Sequence, residues 1–68
     1  MLKFTLKALR INAGLSQEEV GAKLGKSSKT ISKWENGITF PKPKDIDALC
    51  NLYNVSYDNI IFLPSDSL

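Results

Sequence analysis

Between Ser16 and Gly37 the chain carries two helix starts and two helix stops within twenty-two residues, and that punctuation excludes any long helix there. Ser16 supplies a hydroxyl for the free N–H groups of a new helix, and Glu19, three residues on, can reach back to complete a capping box. Gly25 can take the left-handed conformation that ends a helix at little steric cost. Ser27 then caps the next helix, and Gly37 closes it. The spacing therefore predicts two helices of about two turns each, joined by a corner at Gly25 in helix-turn-helix geometry. Val20 and Leu24 form the buried stripe of the first, Ile31 and Trp34 that of the second. Gly21 falls where the two helices must cross closely.

The flanking sequence extends the helical pattern. Leu2, Leu6, Leu9 and Ala13 recur at helical spacing, so an amphipathic helix is expected to reach about Asn12, where Gly14 ends it. Thr39 to Lys44, with Pro41 and Pro43, reads as a loop, although Pro43 is tolerated in a first helical turn. A further helix fits Lys44 to Tyr53, with Asp45 and Asp47 near the positive end of its dipole and Ile46, Leu49, Cys50 and Tyr53 inward. Ser56 is expected to cap a last short helix through Ile60 and Ile61, ended by Pro64. No strand pattern competes. One domain over residues 1–63 and a frayed tail over 64–68 follow from this reading.

Composition narrows the chemistry. A chain of 68 residues hides only about 60% of the surface it exposes when unfolded, so its core is thin. Lys3, Lys7 and Arg10 interrupt the apolar N-terminal positions, so neither a signal peptide nor a membrane span is expected and the chain reads as cytoplasmic. Cys50 is the single cysteine and histidine is absent, which disfavours a disulfide, a metal or another cofactor. Seven scattered acids offer no nucleophile and base pair, so a binder is expected rather than an enzyme. No small-molecule ligand is evident. The charge is segregated: nine basic residues and three acids up to Lys44 leave +6, and four later acids leave −4. Such polarity suits one face to a polyanion.

In order along the chain, Leu9-Arg10, Gly14-Leu15-Ser16-Gln17-Glu18-Glu19, Leu24-Gly25, Ile31-Ser32-Lys33-Trp34-Glu35-Asn36-Gly37 and Leu52-Tyr53-Asn54-Val55-Ser56 resemble the phage repressor and Cro family, also called the XRE family, of helix-turn-helix regulators. The resemblance covers almost the whole chain. It implies an all-α, compact five-helix lambda-repressor-like domain whose helix over about 28–36 enters the DNA major groove. Gly21 departs from the family's more usual alanine, at a cost in helix propensity of roughly 1 kcal/mol.

The same resemblance distributes roles. Ser27, Ser28, Lys29 and Lys33 match the base-reading surface, where the lysines can donate to guanine O6 and N7. Gln17 matches a phosphate contact at a helix N-terminus, and Thr30, Asn36, Thr39 and Lys26 fall beside the sugar-phosphate backbone. Arg10 and Glu35 match a pair in which the arginine bridges towards a phosphate. Trp34 and Cys50 read as core. Phe40, Tyr57 and Phe62 lie outside the core stripes and match regions through which family members dimerise. The expected function is sequence-specific binding of double-stranded DNA by a dimeric transcriptional regulator, a repressor, on a palindromic operator. Two alternatives stand beside it: an antitoxin or accessory regulator that needs a protein partner, and an adaptor that keeps the fold without reading DNA. Lys26, Lys29 and Lys33 argue against the adaptor.

Overall fold

A computed structural model describes residues 2–63 of the chain. The elements run in the order β1 (Phe4–Thr5), α1 (Leu6–Asn12), α2 (Gln17–Leu24), α3 (Ser28–Glu35), α4 (Pro43–Tyr53), a 3₁₀ turn (Tyr57–Asn59) and β2 (Ile60–Ile61). The expected tail, 64–68, lies outside the described residues.

The central punctuation acts as its chemistry dictates. Ser16 Oγ accepts from the Glu19 amide at 3.0 Å while Glu19 Oε1 accepts from the Ser16 amide at 2.8 Å, so the capping box is complete. The bond from the Ser16 amide, with the Ser16 side chain second, holds the Glu19 carboxyl below its usual range. Gly25, at φ +71°, turns the chain, and the Lys26 amide donates back to the Gly21 carbonyl at 2.8 Å. Ser27 Oγ accepts from the Thr30 amide and opens α3. Pro43 occupies the first turn of α4, and Asn54, at φ +55°, ends that helix.

Leu6, Leu9, Val20, Ile31, Trp34, Leu49 and Ile60 form one core, with Leu24, Cys50, Tyr53 and Phe62 packed on its edge. Trp34 is buried as its spacing from Ile31 required. Gly21 is buried because the chain folds back over it: a Cβ there would collide with the Lys26 carbonyl oxygen. The absence of a side chain at this position is thus set by the corner, beyond any cost in helix propensity.

Two expectations are corrected. The first helix does not include Leu2: Thr5 Oγ1 caps α1 by accepting from the Ala8 amide at 3.1 Å, and Leu2 is left 74% exposed. The last helix is only a three-residue 3₁₀ turn, so the domain has four α-helices among the described residues instead of five. Ile60 and Ile61 leave that turn in extended conformation and pair in parallel with Phe4 and Thr5, the register being Phe4 to Ile60 and Thr5 to Ile61. The two isoleucines are β-branched and favour a pleated backbone. Asn59 reinforces the closure by donating from Nδ2 to the Leu2 carbonyl at 3.1 Å. A ladder this short lies below what alternation along a sequence can signal.

Candidate nucleic-acid interface

With Ile31, Trp34 and Glu35 turned into the core, helical geometry leaves Lys29, Ser32, Lys33 and Asn36 on the outward side of α3. Lys29, Lys33 and Asn36 are exposed, and Ser28 is half-buried at the start of the helix. Among the described residues the ion pairs are Arg10–Glu35 and Lys26–Asp45, so Lys29 and Lys33 present unpaired charge one turn apart. The backbone after α3 folds back on the same place: the amides of Ile38 and Thr39 both donate to the Lys33 carbonyl, at 2.9 and 3.4 Å. Thr39 is thereby held near Lys33, and it is exposed.

Ser32 was absent from the residues expected at the site, yet it belongs to this group. Asn36 Nδ2 donates to the Ser32 carbonyl at 3.0 Å and to Ser32 Oγ at 3.3 Å. The signal was available in the sequence, since Ser32 follows Lys29 by three and Ser28 by four residues, the spacing of one helix face.

Other expected contacts are already engaged inside the protein. Ser27 Oγ caps α3 and also shares a hydrogen bond with Thr30 Oγ1 at 3.1 Å, so one O–H donor is left between the two hydroxyls. Lys26 Nζ lies 3.6 Å from Oδ1 of the buried Asp45, in the first turn of α4. The charge segregation along the sequence is therefore bridged here, because an acid of the negative half packs against the helix-turn-helix corner.

Arg10 forms the staple that the resemblance implied. Its Nε donates to Glu35 Oε2 at 2.6 Å, its Nη2 to Glu35 Oε1 at 3.2 Å and its Nη1 to the Leu15 carbonyl at 3.0 Å. Glu35 Oε1 accepts a further bond from Gln17 Nε2 at 3.1 Å. Glu35 therefore joins α1, α2 and α3 through one carboxylate, which is 3% exposed. The hydrogen bond to Glu35 raises the Arg10 pKa further. Removing either charge alone would strand the other in a buried site, at about 3–5 kcal/mol. Tyr53 borders this network from α4: burial, with the nearby Glu35 charge second, pushes its hydroxyl up to about 12.

The aromatic residues assigned to a dimer contact do gather on one surface. Phe40 and Phe62 have ring centroids 4.9 Å apart, and Tyr57 and Phe62 are 5.5 Å apart. Phe40 and Tyr57 stay 59% and 55% exposed, while Phe62 also packs on the core edge. No three His, Cys, Asp or Glu side chains among the described residues group to hold a metal ion. No helix there is long and apolar enough to cross a membrane.

Two short helices crossed at a glycine corner, with a polar and cationic strip along the outside of the second, constitute a helix-turn-helix. The chain belongs to the helix-turn-helix family, whose profile matches residues 6–60, and within it to the XRE type that its motifs resemble. It is 34% identical over 61 residues to antitoxin PezA of Streptococcus pneumoniae, covering 90% of this chain and 39% of that protein. It is 30% identical over 56 residues to the HTH-type transcriptional activator BcrR of Enterococcus faecalis, covering 82% of this chain and 28% of that one. The chain thus spans well under half the length of these relatives.

Proposed function

We propose that the chain is a sequence-specific double-stranded DNA-binding module of a cytoplasmic transcriptional regulator, acting without catalysis, with α3 in the major groove. The observation that carries this reading is the unpaired Lys29 and Lys33 on the solvent side of a helix whose other side is locked into the core. Lys29 and Lys33 read bases, assisted by Ser28, while Ser27 at the tip of the helix serves as the cap of α3. Gln17, Asn36 and Thr39 contact the sugar-phosphate backbone, with Thr30 and Lys26 at its margin and Arg10 using the two N–H donors its internal bonds leave.

Two copies on a palindromic site would place their α3 helices about 34 Å apart. Phe40, Tyr57 and Phe62 are the candidate contact between them, the first two rings lying against Phe62 while staying more than half exposed. Repression follows if the operator overlaps a promoter. The PezA relationship favours a second reading, in which the module serves an antitoxin and its DNA binding is tuned by a protein partner.

Selection from a random duplex pool, followed by binding of variants to the selected and a scrambled site, tests the assignment. Lys33→Ala is expected to lose about 1–3 kcal/mol more on the selected site than on the scrambled one. Equal losses would reduce Lys33 to a phosphate contact, and absence of binding to every duplex at low salt would refute the DNA reading.

A further inference from the structure

Lys26 stands at the helix-turn-helix corner with its backbone fixed and its charge turned inward. Its amide donates to the Gly21 carbonyl at 2.8 Å and its own carbonyl oxygen covers Gly21, so only the side chain is left to move. Lys26 directly precedes Ser27, the cap of α3, and so stands at the end of the helix that would approach DNA. Lys29 and Lys33 carry no ion pair among the described residues, whereas Lys26 Nζ lies 3.6 Å from Asp45 Oδ1. The two partners are unequal. The Lys26 side chain is 36% exposed on a long stem, and the Asp45 side chain is 10% exposed in the first turn of α4, where the helix dipole favours its charge. The carboxylate is therefore the fixed partner and the ammonium the one that can leave. At 3.6 Å the contact is a charge pair longer than a hydrogen bond, so no directed bond has to break when it does.

We propose that Asp45 is an internal competitor for the DNA backbone at Lys26, an autoinhibitory contact that withholds most of one phosphate-neutralising charge. This rests on the DNA-binding reading above and deepens it by saying what keeps Lys26 at the margin of the contact. For Lys26 to engage a phosphate fully, Asp45 has to stay behind uncompensated in a buried place, and its negative charge then repels that phosphate. Effective dielectric constants of about 20 beside protein and about 80 in water favour the inner partner over a solvated one. Neutralising Asp45 removes both costs. The affinity of the module for any duplex is thus set below what its lysines allow, by a carboxylate buried against the corner.

A double-mutant cycle between Asp45→Asn and Lys26→Gln tests the proposal. Affinity for the selected and the scrambled duplex is measured across a range of salt concentrations, with circular dichroism to verify folding. Asparagine keeps the shape of the buried side chain, and glutamine keeps a donor for the Asp45 carboxylate. Asp45→Asn is expected to tighten binding to both duplexes about fivefold at low salt and to steepen the fall of log K with log salt by about 0.9, the step for one more neutralised phosphate. In the Lys26→Gln background the same change is expected to gain less than about twofold, with no added slope. Equal gains in the two backgrounds would mean that Asp45 acts only as a nearby negative charge. That result, or no gain from Asp45→Asn in a folded protein, would overturn the competition while leaving the DNA reading intact. Failure of the unaltered protein to bind any duplex would overturn both.

Should Asp45→Asn unfold the domain, the salt dependence of Lys26→Gln alone decides the matter. Its slope is expected to fall by less than half of that step, and a drop of the full ~0.9 would show Lys26 already committed to a phosphate and refute the proposal.

Discussion

A Cβ on residue 21 would meet the backbone oxygen of Lys26, an atom that no change of rotamer can move aside. Helix propensity alone favours alanine there by roughly 1 kcal/mol. The collision opposes it, so Gly21→Ala is expected to destabilise the domain by a net ~1–3 kcal/mol in urea denaturation. A gain in stability would show that the corner relaxes freely. Tyr53 supplies a second test at this scale. Its hydroxyl is held at about 12 in the folded protein, above the ordinary 10, so the folded state keeps a proton that the unfolded chain releases. Its contribution is complete below pH 10 and disappears as pH rises through about 12. Thermal melts at alkaline pH should therefore fall less steeply for Tyr53→Phe than for the unaltered protein. Residue types alone indicated that Gly21 must be small and that Trp34 must be buried. That Gln17 faces Glu35, or that Lys26 faces Asp45, could not be read from them, since each pair joins elements brought together only by folding.

At the scale of elements, the serine starts and glycine stops define α2 and α3 because capping is local chemistry, complete within four or five residues. Ser27 illustrates the consequence. Its hydroxyl already accepts from the Thr30 amide, so Ser27→Ala is expected to cost about 1 kcal/mol of stability, measured by thermal or urea unfolding. Its effect on DNA should follow that loss without changing the preferred base. A changed preference would restore Ser27 to the base-reading group. The ends of the chain were less legible for the opposite reason. Thr5 caps α1, and with Phe4 it also pairs in a two-residue ladder with Ile60 and Ile61, more than fifty positions away. The apolar spacing of Leu2 with Leu6 is real in the sequence, but the pairing of distant segments overrides it.

For the molecule as a whole, the polar strip on α3 and the aromatic group of Phe40, Tyr57 and Phe62 invite separate tests. Replacing both exposed rings, Phe40→Ser with Tyr57→Ser, should weaken binding to a full palindrome at least tenfold by removing an apolar contact between copies. Binding to a single half-site should hardly change. Equal loss on both duplexes, measured by sedimentation with labelled DNA, would count against these rings as the contact between copies. The sequence by itself determined the two capped helices, the glycine corner, the buried stripe and the choice of lysines that remain outside, because each follows from hydrogen bonds or periodicity within about two helical turns. Only the tertiary structure decided which polar groups are spent internally and which stay free. Arg10, Gln17 and Glu35 come from three helices, and Lys26 and Asp45 from opposite sides of a loop; their bonds exist because packing of the shared core brings those backbones within reach.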